Sequence, residues 1–397
     1  MTRNSIFYTV VLLAVFYNSL LAMINAHLFH VNLSLTVLSE VMIVGAALFL
    51  SLEAGFRQIE KWFLWGLILF STLAIYLTLL NGRVVVDGLR NFLIMFVFFS
   101  IGARLRLDMV IKIFFLITCL VLFFLVLEIL FLNVYVTIFQ PALYYAATRG
   151  QEVSQFNEVG LFNNALGFAS RFSFGLFDVP RTSSVFLEQV SLANFATVLT
   201  IFCVTFYNVL KKKHLIVFIF TILLILTTNN TRTASILFLI IGLGYFVFPL
   251  LPRYFNVLYP LLILAVAIPI YIYSPDQKGD DLVGRINISM GHFINLSFSD
   301  YIGYAANNLY RLYDSGYAYI VGANTLIGAI YIWLLISLIL RQEYPFTKRC
   351  AYAVGLYFFV NLLIGGTAVY SMKVASLLWL IIGAAYVVQN GAQRDAR

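Results

Sequence analysis

Residues 113–134 read IFFLITCLVLFFLVLEILFLNV, and this stretch decides the fold class. A single charged side chain, Glu128, interrupts it. About 20 apolar residues in a helix cross the roughly 30 Å hydrocarbon core of a bilayer. No water reaches that core, so the backbone must satisfy its own hydrogen bonds and a run of this kind is a transmembrane helix. Outward from it the same texture recurs, at about 5–25, 33–52, 62–80, 91–102, 185–210, 215–228, 234–251, 256–273, 317–340, 350–368 and 375–389. Of the 397 residues 62% are hydrophobic and 11% are charged, and the charges cluster between the runs. The expectation is an all-α polytopic integral membrane protein of about twelve transmembrane helices, with residues 1–397 as a single membrane domain.

Lys and Arg set the orientation. The short loops with Lys211 to Lys213 and Arg341 to Arg349 are cytoplasmic by the positive-inside rule, which predicts both termini on that side as well. Basic inner loops facing anionic lipid account for the net charge of +8, so membrane lipid is a partner and no nucleic acid is called for. The first run is too long for the apolar core of a cleaved signal and is followed by more spans, so it reads as a membrane helix. Cys119, Cys203 and Cys350 lie in or beside spans and imply no disulfide framework.

Two outward segments are longer than the other connections, residues 135–182 and 274–316. Long loops in compact proteins are usually functional. Between them they carry Arg149, Arg171, Arg181, Arg285, Arg311 and Asp314 among many aromatic side chains.

The sharpest residue is Arg232, in Thr227-Thr-Asn-Asn-Thr-Arg-Thr233. Asn230 or Thr231 reads as the N-cap of the eighth run, which puts Arg232 in its first turn. The N-terminus of a helix carries partial positive charge, so a cation there is disfavoured unless an anion binds with it. Backbone N–H groups and a guanidinium together suit a phosphate. Arg181 opens a second such turn, leading to Glu188 and Gln189 at the head of the sixth run. A carboxylate at that depth needs a partner, and Arg181 or Arg232 is the expected one. Glu40 and Glu128 lie deeper, protonated or paired with a polar neighbour. His27 and His30 have no Cys or carboxylate beside them, and no metal or other cofactor is expected.

With these residues in view, the chain resembles the bacterial O-antigen polymerases, known as Wzy, and the related O-antigen ligases. Three motifs carry the likeness: Arg181-Thr-Ser-Ser-Val-Phe-Leu-Glu188-Gln-Val-Ser191-Leu-Ala193, Asn229-Asn-Thr-Arg232-Thr-Ala234, and Asp314-Ser-Gly-Tyr317 followed by Leu326-Ile-Gly328. Where the ligases carry a histidine this chain carries Asp314, and Thr325 replaces the first glycine of the ligases' Gly-x-x-Gly. Arg149 and Arg311 each stand eleven positions before a glycine, Gly160 and Gly322, a spacing similar to segments of some polymerases.

The resemblance implies a GT-C-like membrane glycosyltransferase in the bacterial inner membrane, with two large periplasmic loops and an active site facing the periplasm. It implies that a glycan passes from undecaprenyl diphosphate to the non-reducing end of a second lipid-linked repeat unit, with a chain-length regulator protein as a further partner. Glu188, Asp314 and Arg232 are then the catalytic candidates. Arg181, Arg232, Arg311, Arg149, Asn230 and Tyr317 are the substrate-binding candidates. A ligase-like transferase and a flippase of lipid-linked oligosaccharides are the alternatives.

Overall fold

The computed structural model describes residues 3–55, 57, 60–153, 158–166, 172–177, 179–277, 279 and 281–395. Arg171, named above, lies outside the described residues. The elements in chain order are α1 (Arg3–His27), α2 (Leu33–Glu53), α3 (Glu60–Asn81), α4 (Asp87–Arg104), α5 (Leu107–Leu130), α6 (Leu132–Phe139), α7 (Pro141–Arg149) and α8 (Gln189–Phe206). They continue as α9 (Lys212–Asn229), α10 (Arg232–Val247), α11 (Tyr259–Tyr273), α12 (Leu282–Ile294), α13 (Phe298–Ile302), α14 (Gly316–Leu338), α15 (Pro345–Ile364) and α16 (Met372–Asp395). Short 3₁₀ turns join several of them, and no strand occurs among the described residues.

A helix occupies each of the twelve apolar runs. Among the described residues, ten helices are long and apolar enough to cross a membrane, so this is a multi-pass membrane protein. The helices at the two remaining runs, α4 and α15, are of similar length but interrupted by polar side chains: α4 holds Asp87, Arg90, Asn91 and Arg104, and α15 holds Lys348, Arg349 and Asn361. The two long segments, residues 135–182 and 274–316, are not plain loops. The first contains α7 and much of α6, and the second contains α12, α13 and a 3₁₀ stretch from Tyr304 to Leu312.

Burial sorts the helices into a centre and a periphery. The apolar windows of α8 and α16 are 89% and 83% buried, whereas those of α2 and α11 are 17% buried. The exposed sides of the outer helices are apolar, as at Phe49, Leu79 and Val266, and match a surround of lipid rather than water. In the centre α4 lies directly on α16. A Cβ on Gly102 would collide with the Leu380 carbonyl and one on Gly383 with the Phe99 carbonyl, which is the close backbone approach that small residues allow between membrane helices.

Candidate active site

Two breaks in the helical path meet at one end of the bundle. The first is residues 181–188, ahead of α8. Ser184 and Leu187 take left-handed angles there, φ 48° and 58°, and turn the chain sharply. The second is Asn230, φ 53°, which ends α9, so that Thr231 caps α10 and Arg232 is its first residue. Of the two caps that the sequence allowed, the fold therefore uses Thr231.

The breaks are tied to each other. Asn229 Nδ2 donates to the carbonyls of Thr182 (2.6 Å) and Gln189 (2.9 Å). The Thr182 and Thr228 hydroxyls are 2.8 Å apart. Arg181 Nε donates to the Asn229 carbonyl at 2.7 Å and Nη2 to Thr231 Oγ1 at 2.8 Å. Backbone groups that left their helices thus find partners across the junction, as burial demands.

Buried side chains hold the far side of the same turn. Glu128, near the end of α5, accepts from Ser183 N at 2.9 Å, Ser184 N at 2.7 Å and Ser183 Oγ at 3.2 Å. Tyr135 OH donates to the Ser184 carbonyl at 2.7 Å, and Lys373 Nζ to the Phe186 carbonyl at 3.2 Å. Glu128 is thus paired with polar neighbours. An unsatisfied buried donor costs about 1–3 kcal/mol. Glu128→Ala strands two backbone N–H groups and is expected to destabilise the protein by roughly 2–6 kcal/mol, read as a lower thermal midpoint in detergent. A wild-type midpoint would remove Glu128 from this role.

The junction forms one wall of a cavity of about 410 Å³. Arg181, Asn230 and Arg232 line it, and so do Arg285 and Asp281 at the head of α12, Asp314, and Asn194 and Asn361 from α8 and α15. The first turns of α8, α10 and α12 all reach it. Neither Glu188 nor Thr231 caps its helix through its side chain, whereas Asp281 accepts from Gly284 N at 2.7 Å. Uncapped helix N-termini direct partial positive charge at whatever they face. Three guanidinium-bearing and two carboxylate-bearing residues share the lining. The Arg232 guanidinium carbon lies 5.3 Å from the centre of the Phe172 ring. Asp314, 70% exposed, pairs with Arg285 at 3.6 Å. Such a surface can hold an anion of more than one charge and offers a carboxylate beside it.

Arg181, Arg232, Asn230 and Asp314, four of the sequence candidates, therefore meet at one cavity. The other four do not line it. Glu188 is paired neither with Arg181 nor with Arg232. Its partners are Arg149 (3.1 Å), Lys373 (3.2 Å) and Ser191 Oγ (2.9 Å), on the side of the turn away from the cavity. The reason is the sharp bend at Ser184 and Leu187, which separates Arg181 from Glu188 despite their closeness in sequence. Arg149 lies over the Tyr145 ring at 4.4 Å and serves this ion pair. Burial opposes its charge, but Glu188 and Tyr145 outweigh that and hold the guanidinium above its ordinary range. Arg311 is exposed beside Tyr310, where its Nε donates to the phenol oxygen at 3.1 Å. Tyr317 is packed in the core, 6% exposed, and its hydroxyl donates to the Phe359 carbonyl at 3.2 Å.

Arg285, Lys373, Asn194 and Asn361 escaped the sequence reading as site residues. Arg285 read only as one charge of the second outward segment, Lys373 is a single cation just ahead of the last apolar run, and the two asparagines are single polar residues inside apolar helices. Polar residues at such depth are functional candidates by default, and that was the available signal. Glu40 is also paired, with Arg90 at 2.6 Å and with the Tyr17 hydroxyl.

Comparison with protein-family models, with curated proteins and with solved structures finds no match to this chain.

Proposed function

We propose that this protein is a polysaccharide polymerase of the O-antigen type, a GT-C-like glycosyltransferase that uses lipid-linked glycans. It is placed in a bacterial inner membrane with twelve spans, both termini cytoplasmic and the cavity facing the periplasm. The observation that carries the reading is the meeting of Arg181, Arg232 and Arg285 with two uncapped helix N-termini at one cavity of a membrane protein. That combination suits the diphosphate of an undecaprenyl-diphosphate-linked oligosaccharide, the proposed donor.

The chemistry is a displacement at the anomeric carbon. A hydroxyl oxygen at the non-reducing end of a second lipid-linked repeat unit attacks that carbon. The bond from the carbon to the diphosphate oxygen breaks, and the diphosphate keeps the electron pair. Arginines at the leaving group stabilise the charge that develops there. The acceptor proton passes to Asp314, the exposed carboxylate on the lining. Glu188 is engaged by two cations and a hydroxyl and serves to hold the turn, and Arg149 serves with it. A chain-length regulator protein is the proposed further partner.

Deletion of the gene and electrophoresis of the surface glycan test the reading. The expected result is a band carrying one repeat unit where a ladder stood. Complete loss of surface glycan would replace this reading with a ligase-like transferase or a flippase of lipid-linked oligosaccharides.

A further inference from the structure

The cavity has two chemically different walls. Arg181, Arg232 and Arg285 come from the junction and the head of α12, and a guanidinium can only donate. The wall that α8 and α15 supply presents acceptors. Asn194 Nδ2 donates to the Val190 carbonyl of its own helix at 2.9 Å, and Asn361 Nδ2 does the same to the Tyr357 carbonyl at 2.9 Å. Thr197 Oγ1 donates to the Ala193 carbonyl at 3.2 Å. All three residues line the cavity. A carbonyl oxygen can only accept, so these bonds fix which end of each amide faces the helix and occupy the threonine proton. Asn194 Oδ1, Asn361 Oδ1 and the lone pairs of Thr197 are left over.

The three side chains are more than nine-tenths buried. Neither amide oxygen has a hydrogen-bond partner among the described residues, yet neither is sealed in the way that the unpartnered oxygens of Asn81, Asn287 and Asn324 are. Asn361 Oδ1 is reachable because residue 365 is glycine. A Cβ there would stand 2.6 Å from this oxygen, and Gly365 itself lines the cavity. A buried acceptor without a donor is unfavourable, so this wall suits a ligand that donates.

We infer that Asn194, Thr197 and Asn361 recognise the first sugar of the lipid-linked donor. They accept hydrogen bonds from its hydroxyl and amide N–H groups while the arginines hold the diphosphate. This use of the wall rests on the proposed lipid-linked glycan donor, and it adds which residues read the sugar. Two simpler occupants fit less well. A phosphate or diphosphate alone satisfies the guanidinium groups, but its oxygens and the amide oxygens are all acceptors and repel each other. A metal cation suits neutral oxygens, but three guanidinium-bearing residues on the same lining oppose it. A sugar diphosphate presents anionic oxygens and hydrogen-bond donors side by side, as the two walls require.

The test uses the full chain in lipid nanodiscs and two probes. One is a ten-carbon prenyl diphosphate, and the other is the same molecule carrying one N-acetylated hexosamine. Asn194→Leu and Asn361→Leu keep the side-chain size and remove the acceptor. Each should weaken the sugar-bearing probe by roughly 2- to 10-fold, and the double variant by about 10-fold or more. The sugarless probe should bind every variant as it binds the wild type. Equal loss of both probes, or no loss of either in a folded double variant, would overturn the inference.

A second measurement needs no variant and covers one that fails to fold. Probes in which single hydroxyl or acetamido groups of the sugar are replaced by hydrogen are compared on the wild-type chain. At least one should lose as much affinity as the single asparagine variants do, and a complete set with undiminished affinity would also overturn the inference. Neither assay needs glycan transfer. A sugar preference erased in the double variant, together with an unchanged ladder on gene deletion, would keep the sugar site and remove the polymerase reading. A one-repeat band on deletion with no sugar preference in binding would do the reverse.

Discussion

Arg232→Ala is expected to abolish the glycan ladder while the protein accumulates to its normal level. Arg232 begins α10 at the lining of the cavity, where the helix N-terminus has no side-chain cap. Neutralising charge on a departing phosphate by an arginine is worth on the order of 1,000-fold or more in rate. Little structural loss should accompany the change, because Arg232 is only partly buried, resting on Phe172 at the protein's edge. Arg232→Lys should restore part of the activity. It returns the charge but not the planar fork that grips two phosphate oxygens at once. Ladder length on a gel beside an immunoblot of membranes reads both quantities. A near-normal ladder from the alanine variant would take Arg232 out of the site.

The second large effect concerns the proton. Asp314→Asn keeps the shape of the side chain and removes the acceptor, and it should slow transfer by roughly 100- to 10,000-fold, the usual share of a general base. Binding of the lipid-linked donor should survive, and so should thermal stability, because Asp314 is 70% exposed and its contact with Arg285 is long, at 3.6 Å. Glu188→Gln should behave in the opposite way. It leaves Lys373, 1% exposed, without a full counter-charge, and breaking a buried pair costs about 3–5 kcal/mol. The contact of Glu188 with Arg149, whose side chain is 39% exposed, contributes less. The two variants therefore separate a chemical role from a supporting one, through single-turnover rate and thermal midpoint measured on the same purified protein. A fast, stable Asp314→Asn enzyme would leave the leaving-group arginines as the catalytic element, with the acceptor proton lost to water.

Part of the site was legible in the sequence because some signals are local. Asn229-Asn-Thr-Arg232 interrupts apolar texture on both sides, and a polar break at that depth must be held by something. The same holds for Arg181 to Gln189. These two stretches do meet, and Arg181 and Arg232 do line one cavity. Tyr317 was named only through the motif Asp314-Ser-Gly-Tyr317, whereas its own surroundings are packed helix. Arg311 has the spacing to a glycine, but it is exposed beside Tyr310 and outside the cavity lining.

By itself the sequence determined the class of molecule and the position of each long helix. Apolar length and the scarcity of charge are properties of one segment at a time, and the bilayer converts them directly into helices. Only the tertiary structure decided which charges face each other. Glu188 is 7 residues from Arg181 in the chain, yet its partners are 39 and 185 residues away, at Arg149 and Lys373. Left-handed angles at Ser184 and Leu187 reverse the local direction, and the packing of α7 and α16 then supplies the counter-charges. Coulomb attraction depends on separation in space and on the dielectric between the groups, and neither is written in the order of residues.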